Sequence, residues 1–200
     1  SQLASFIRPE ILAIPAAKFK KFLQAKELQP YALMLERMVR TKPHTLSDAE
    51  ERLLAMQGQM AEAARQTFGQ LTDADFKFGM IQNEAGETVE LSHSSFSALL
   101  HSPQRAVRKA AFLQYYEVYQ AHENALASTL SGSVQRDVYY AKARGYDSAL
   151  GKALFADNVP QSVYDNLIAA VRKRQPAIGK YLELRRRKMK LKTIHHYDTY

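Results

Sequence analysis

Apolar residues along most of this chain recur every three or four positions, a spacing that predicts amphipathic helices. Pro15 suits the first turn of a helix over Ala16–Gln24, and Pro30 begins a second helix. Ser47 and Glu50 predict a capping box, because the hydroxyl can accept from one backbone amide while the carboxylate accepts from the other. The first part of the chain is therefore predicted to be helical.

Residues 76–92 break this pattern. FKFGMI and ETVEL flank the polar QNEAG, and Gly86 is available for a turn position with positive φ, which predicts a β-hairpin over about 76–91. An isolated hairpin is marginally stable in water, so it must pack on helices or pair with a further strand. Because successive side chains of a strand point to opposite faces, Phe76, Phe78 and Met80 are predicted to share one face on the first strand. Val89 and Leu91 are predicted to share one face on the second.

Helices are predicted again after the hairpin. Ser92 or Ser94 starts a short one, and Ser102 with Pro103 supplies the cap and first helical residue of a long one. The long helix is expected to break near residues 121–124, and Gly132 inside it indicates close helix packing. The remaining expectations are a stop at Gly145, a helix over Ser148–Phe155, and a helix from Pro160 to about Leu191 with a kink or restart at Pro176.

Composition narrows the class of protein. Hydrophobic residues make up 46% and charged residues 24% of the 200 positions, as in ordinary globular proteins. No apolar run approaches the roughly 18 residues of a membrane span. The absence of cysteine excludes disulfides and thiol catalysis and is compatible with a reducing compartment. The first residues lack a charged and then apolar leader, so we expect a cytoplasmic protein without membrane contact.

The net charge of +8 comes from one segment. Residues 171–192 contain ten Lys or Arg and a single acid, Glu183. A basic helix over 172–192 could bind nucleic acid or an acidic partner, or it could be a solvated face or lie against an acidic surface of another domain. Neither a reading-helix motif nor aromatic platforms accompany it, so nucleic-acid binding is not expected.

The titratable residues show no spacing typical of a metal or catalytic site. His122-Glu123 begins like the helical zinc motif His-Glu-x-x-His, but the fifth position is Leu126, which cannot ligate a metal. His195 and His196 are neighbours whose side chains point apart. Surface or capping roles are expected for His44, His93 and His101. We therefore expect no catalytic and no metal-binding residue in this chain, and the sequence assigns no substrate-binding residue.

Aromatic residues leave a choice between core and ligand binding. Tyrosines at helical spacing could line a peptide groove, although such residues pack in a core more often, and core is the expectation. They are Tyr115, Tyr116, Tyr119, Tyr139, Tyr140 and Tyr146.

Several motifs together match one family. Phe6 and Pro9-Glu10-Ile11-Leu12 fit a "sffxPEIL" pattern, and residues 42–54 fit "KxHTLSxxEExLL". Further matches follow in order: FKFGMIQNEAGETVELSHSSFSALLHSPQRAVRKAAF, LSGSVQRDVYYAKARGYDSAL, ALFADNVPQSVYDNLI, YLELRRRK and Tyr197-Asp198. Over almost its whole length the chain resembles the oligoendopeptidase F family of zinc peptidases.

The resemblance implies part of a larger, bowl-shaped, mainly α metallopeptidase whose internal channel admits only short peptides. Zinc would be held by the two histidines of His-Glu-x-x-His and a glutamate on a following helix, with the motif glutamate as general base. None of these residues is in this chain, so zinc is expected to be bound by residues outside it. The expected domains are a helical amino-terminal domain over 1–66, incomplete at its start, and the first part of the peptidase domain over 67–200, incomplete at its end.

The sequence therefore predicts a mainly α array with one hairpin that forms a segment of a zinc-dependent oligoendopeptidase, inactive alone. Its partners would be an oligopeptide substrate and the missing carboxy-terminal half, which would leave apolar surface uncovered here. The alternative is a non-catalytic helical binding module that uses residues 172–192. The hairpin over 76–91 is the best candidate for a functional contribution, because one of its strands could orient the backbone of a substrate; it could equally fill space between lobes.

Overall fold

The computed structural model describes the backbone of residues 7–200 and the side chains from Glu10 onward. Those residues form a mainly α structure with one two-stranded antiparallel sheet, which confirms the predicted fold class. The helices are α1 Ile7–Ala13, α2 Ala16–Leu23, α3 Ala32–Arg40, α4 Asp48–Met56, α5 Gly58–Ala61, α6 Ala63–Gly69, α7 His93–Leu100, α8 Arg105–Ala121, α9 Glu123–Ala143, α10 Ala149–Ala156 and α11 Gln161–Lys188. The strands are β1 Met80–Gln82 and β2 Thr88–Glu90.

Shorter helical turns link these elements. They are 3-10 helices over Lys26–Tyr31, Lys42–His44 and His196–Asp198, and a π-helical turn over Gln70–Asp75. Contacts divide the chain into two compact units, one of Ser1–Gly58 with Asp137–Gln161 and one of Gln59–Arg136 with Ser162–Tyr200. The domain division at residue 66 stays a prediction, and Phe6, with the rest of the first six residues, lies outside the described residues.

The first unit is built from α1–α4, the end of α9, and α10. Leu12, Phe19, Leu54 and Ala141 are its buried apolar side chains. The predicted capping box starts α4, since the Ser47 amide donates to Glu50 Oε2 at 2.9 Å and the Glu50 amide donates to Ser47 Oγ at 3.4 Å. Two of the four orphan amides at this helix start are thereby satisfied by local side chains.

The second unit has its core between the hairpin, α7 and α8. The buried cluster consists of Phe76, Phe78, Ile81, Leu91, Leu99, Val107, Ala111 and Tyr115. Within it, Phe78 stacks on Tyr115 with ring centroids 4.5 Å apart. A hairpin of two three-residue strands cannot stand alone in water, so this contact with α8 is what stabilises it.

The strands of the hairpin are shorter than the span of 76–91 that was predicted, and one predicted side-chain orientation is wrong. Gly86 has φ of 81°, as the predicted turn requires, and Gly79 also has a positive φ, of 79°. Gly79 therefore redirects the chain between Phe78 and the first strand. Phe76 and Phe78 are buried, whereas Met80 is 58% exposed, so the prediction that all three share one face is wrong.

Helix starts after the hairpin follow the prediction in one case and not in the other. Ser92 caps α7, its Oγ accepting from the Ser95 amide at 3.2 Å. Ser102 and Pro103 instead lie before α8, which begins at Arg105. The Ser102 hydroxyl accepts from the Gln104 amide at 3.2 Å and donates to Glu84 Oε2 at 2.7 Å, so it forms a turn ahead of the helix rather than its cap.

The later helices match their predicted positions. The long helix breaks at His122, inside the predicted range 121–124, and Gly145 ends the following segment with φ of 68°. α11 runs through Pro176 without a restart, and the kink, the other predicted alternative, stays a prediction.

A buried carboxylate holds residues 195–200 in the second unit. The side chain of Asp198 is fully buried and accepts four hydrogen bonds: two from Arg105, at 3.0 and 2.9 Å, one from Arg108 at 3.0 Å, and one from the His195 amide at 3.0 Å. Burial by itself raises the pKa of Asp198, but these hydrogen bonds and charges outweigh it and lower the pKa to about 2. Arg185 of α11 adds a hydrogen bond to the Asp198 carbonyl at 2.7 Å.

Replacing Gly132 by alanine is expected to destabilise the protein. A Cβ at Gly132 would lie 2.9 Å from the Cβ of Ala64 on α6, and neither atom belongs to a flexible side chain. Overpacking of this kind costs about 1–3 kcal/mol, more than the ~1 kcal/mol that alanine gains in helix propensity. Urea unfolding should show a loss for Gly132→Ala and a gain for Gly179→Ala, which meets nothing within 4 Å. A stabilised Gly132→Ala would contradict the close packing of α6 and α9.

Removing the charge of Asp198 is also expected to destabilise the protein. Asp198→Asn leaves two arginines facing a neutral buried group, and breaking such a pair costs about 3–5 kcal/mol. Because the folded-state pKa of Asp198 is about 2 against an ordinary 3.8, its stabilisation is fully present above pH 3.8 and is lost as the pH falls through about 2.

Glu183→Gln provides the matched control, since Glu183 pairs with Arg186 at 2.8 Å on the surface and its loss should change little. Urea midpoints measured as a function of pH compare the two variants with the parent. Equal midpoints for both variants at neutral pH would contradict the structural role of Asp198.

Candidate functional site

The zinc-like sequence at His122 does not form a metal site. His122 ends α8 and its Nδ1 donates to the Val118 carbonyl at 2.8 Å, while Glu123 is the first residue of α9. His122 therefore lies outside the helix that contains Glu123 and Leu126. Within residues 7–200 no group of three or more His, Cys, Asp or Glu side chains is placed to hold a metal ion.

His195 and His196 contact different aromatic rings. His195 stacks on Tyr197 with centroids 5.0 Å apart, and His196 lies parallel to Phe112 at 6.2 Å. Their rings therefore serve separate packing contacts near the Asp198 cluster.

His44 is half-buried in the first unit, next to the end of α9. Its Nδ1 donates to the Arg144 carbonyl at 2.8 Å, and its ring stacks on Tyr146 with centroids 3.6 Å apart. Phe155 meets the same ring edge-on at 4.8 Å. These partners follow α9 and are far from His44 in the sequence. The residues around His44 therefore could not predict them.

A bidentate ion pair borders this aromatic cluster. Arg144 donates to both oxygens of Glu51, at 2.7 and 2.8 Å, and to the His44 carbonyl at 3.2 Å. The hydrogen bond to Glu51 raises the pKa of Arg144, while burial raises the pKa of Tyr146. These groups line a cavity of about 490 Å³, together with Leu12, Thr41, Thr45, Leu46 and Asp48. Because Arg144, Glu51 and His44 bind one another, the cavity is explained by the packing of the unit.

His93 links the hairpin core to the π-helical turn. Its Nδ1 lies 2.6 Å from the hydroxyl of Tyr115, and its Nε2 donates to the Thr72 carbonyl at 3.1 Å, which makes Nδ1 the acceptor from Tyr115. Burial, followed by the neighbouring Tyr119 hydroxyl, raises the pKa of Tyr115. The tyrosine thus stays a neutral hydrogen-bond donor and its ring belongs to the core.

The predicted tyrosine stripe is divided by the structure. Tyr115 is buried, whereas Tyr116 is 45% and Tyr139 is 43% exposed. Next to Tyr119 runs an apolar groove of about 470 Å³ whose walls include Phe68, Leu126 and Leu130. The sequence expectation of a core role therefore holds for Tyr115.

The hairpin offers backbone groups rather than reactive side chains. The strands pair antiparallel in the register Met80↔Glu90, Ile81↔Val89 and Gln82↔Thr88. A cleft of about 280 Å³ opens beside the base of the hairpin, where Glu90 and His93 contribute to its wall. An exposed strand edge can bind an extended chain through main-chain hydrogen bonds, independent of its side chains.

Sequence reasoning missed the residues that hold this hairpin in place. The Gln114 side-chain amide on α8 donates to the Phe78 carbonyl at 2.7 Å and to the Met80 carbonyl at 3.1 Å. Ser95 Oγ donates to the Glu90 carbonyl at 2.8 Å. A polar residue on an otherwise apolar helix face was the available signal for Gln114, but its partner could not be read from the sequence.

Comparison with known proteins covers nearly the whole chain. The family model described as Oligopeptidase F matches residues 10–78, and that of peptidase family M3 matches residues 98–200. Oligopeptidase PepF of Bacillus subtilis is 37% identical over 197 residues, 98% of this chain and 29% of the relative. An oligoendopeptidase F homolog of Lactococcus lactis is 36% identical over 200 residues, all of this chain and 33% of the relative.

A solved structure agrees with these matches. Oligoendopeptidase-F from Enterococcus faecium superimposes with a TM-score of 0.88 and 37% identity, over 96% of this chain and 38% of its own. The chain thus spans about a third of the length of the relatives it matches. The described residues include no helix long and apolar enough to cross a membrane. The resemblance inferred from the motifs is confirmed, and the chain belongs to peptidase family M3, among its oligoendopeptidase F members.

Proposed function

We propose that this chain is a segment of a zinc-dependent oligoendopeptidase that hydrolyses short peptides in the cytoplasm. The observation that carries the proposal is the match of two consecutive peptidase family models along residues 10–78 and 98–200. Its relatives named as oligopeptidases are about three times longer, so the proposed activity belongs to the longer protein.

An uncovered apolar stripe on α11 supports the segment proposal. Six large apolar side chains of this helix are each at least 49% exposed: Val163, Leu167, Val171, Ile178, Tyr181 and Leu184. An apolar stripe along one helix face normally packs against a neighbouring element, and in the described part of the chain these side chains lie open to solvent. A further part of the same protein is the partner we propose for this face.

The contacts of the basic segment weigh against nucleic-acid binding. Arg185 donates to the carbonyls of Asp198 and Tyr200. Arg186 donates to both oxygens of Glu183, each at 2.8 Å, and to the Leu191 carbonyl at 2.8 Å. Two of the ten basic side chains in residues 171–192 are thus engaged within the chain, so the cationic surface left for phosphate is smaller than the charge of the segment suggests.

The described residues do not fit a zinc site. Zinc in a peptidase needs three protein ligands, commonly two histidines one helical turn apart and a carboxylate. The histidines described above instead make separate packing and hydrogen-bond contacts, and no cluster of ligating side chains occurs within residues 7–200. The zinc ligands we propose are therefore residues of the longer protein.

The proposal predicts activity only in the longer protein. Full-length protein loaded with zinc should cleave an internally quenched nonapeptide, and the 200-residue chain with added zinc should not. The measurement is the rise of fluorescence as donor and quencher separate.

Chelation supplies the control for this experiment. o-Phenanthroline should abolish cleavage by the full-length protein, added zinc should restore it, and the non-chelating m-isomer should have no effect. A full-length protein that leaves the peptide intact in the presence of zinc would refute the proposal.

A further inference from the structure

The hydrogen-bond alternation of the hairpin determines which backbone groups face outward. The Leu91 amide donates to the Gly79 carbonyl at 2.9 Å, so this pair is hydrogen-bonded. Hydrogen-bonded and non-hydrogen-bonded pairs alternate along an antiparallel ladder, which makes Val89 the next inward-facing residue of β2. Thr88 and Glu90 therefore direct their amides and carbonyls away from β1.

The beginning of the outer edge of β1 is covered by α8. The Gln114 side chain lies along this edge, donating to the carbonyls of Phe78 and Met80. Even a methyl group on Gly79 would approach the Gln114 amide nitrogen to 3.3 Å. An additional strand therefore has no room at the beginning of β1.

The outer edge of β2 is open and short. Ser95 Oγ occupies the Glu90 carbonyl, which ends the edge at that residue. The outward main-chain groups of β2 that remain are the Thr88 amide, the Thr88 carbonyl and the Glu90 amide. They have no hydrogen-bond partner among the described residues. Both residues are exposed, so these two donors and one acceptor can be reached from solvent.

We propose that the open edge of β2 binds the main chain of an oligopeptide substrate as a third, antiparallel strand. One peptide residue would exchange two hydrogen bonds with Thr88, and the residue two positions toward the peptide amino terminus would accept one from the Glu90 amide. This inference rests on the proposed oligopeptidase function and assigns it a binding site.

The arrangement favours short peptides of varied sequence. Main-chain hydrogen bonds do not depend on side-chain identity, and the side chains of Thr88 and Glu90 stand on the exposed face of the sheet. Most backbone groups of a folded protein are already paired, so a folded protein offers an extended main chain to this edge less readily than a short peptide does.

Proline substitution in the full-length protein tests the edge directly. Thr88→Pro and Glu90→Pro remove outward-facing amides, which an edge strand tolerates, and leave the ladder bonds in place. Each should raise KM for a quenched nonapeptide about five- to tenfold, as expected for one lost hydrogen bond with an unpaired partner, with kcat and Tm near those of the parent. Thr88→Ala and Glu90→Ala keep the amides and provide the comparison, since each should raise KM far less than the proline variant at the same position.

Two further variants complete the comparison. Gln82→Pro removes an outward amide from the other strand, β1, which the proposed peptide does not pair with, and should not change KM. Val89→Pro removes an inward amide and should lower Tm, which calibrates the effect of breaking the hairpin.

N-methylated substrates test the predicted pairing from the peptide side. Methylation of the amide nitrogen of the peptide residue opposite Thr88 should raise KM strongly, because this amide would donate to the Thr88 carbonyl. Methylation two residues nearer the peptide amino terminus should be tolerated, because Ser95 already occupies the Glu90 carbonyl that this amide would need.

Binding of a fluorescein-labelled nonapeptide, followed by anisotropy, separates the two proposals. A parent protein that cleaves the peptide, with Thr88→Pro and Glu90→Pro variants that bind and cleave like it, would overturn the edge proposal alone. Tm losses in these variants equal to that of Val89→Pro would also overturn it, because the edge would then pair with a strand of the protein itself. A full-length parent that neither binds nor cleaves peptides would refute the proposed function and the edge site with it.

Discussion

The attachment of a short hairpin to helix α8 is the constraint on which the second unit depends. Two strands of three residues are too small to be stable in water, so their order comes from the helix against which they pack. Tyr115 supplies the apolar contact by stacking on Phe78, and Gln114 supplies the polar contact by binding carbonyls of β1. The same helix binds Asp198 through Arg105 and Arg108, so one element holds both the hairpin and residues 195–200.

This attachment also makes the two edges of the sheet unequal. Gln114 of α8 covers the beginning of the β1 edge, whereas the β2 edge keeps main-chain groups directed to solvent. Exposed edges are normally blunted by charge, by proline or by brevity, and β2 is three residues long with Glu90 at its end. An edge this short does not invite aggregation, yet it retains enough donors and acceptors to orient a peptide.

Sequence reasoning recovered the features that local chemistry determines. The Ser47–Glu50 capping box, the cap at Ser92, the positive φ of Gly86 and the break at His122 each follow from a few neighbouring residues. It failed where a distant residue decides. Ser102 lies ahead of α8 with its hydroxyl bonded to the distant Glu84. The burial of Met80 was mispredicted for a local reason, the positive φ of Gly79 that redirects the chain.

The candidate site was predicted only in part for the same reason. The alternating pattern predicted a hairpin and the possibility of substrate binding along one strand, but the choice of strand depends on Gln114 and Ser95, which lie outside the hairpin. The roles of His44 and His93 were likewise invisible, since their partners Arg144, Tyr146 and Tyr115 come from remote segments. The motifs that recovered the family carry no information on these contacts.

Amide hydrogen exchange in the full-length protein, with and without a non-hydrolysable phosphinic peptide, tests the central claim most directly. The account predicts that the Thr88 and Glu90 amides exchange rapidly in the free protein and become protected when the peptide binds, while the Gln82 amide is unaffected. Thr88 and Glu90 amides that are already protected without peptide, or that the peptide leaves unchanged, would contradict it.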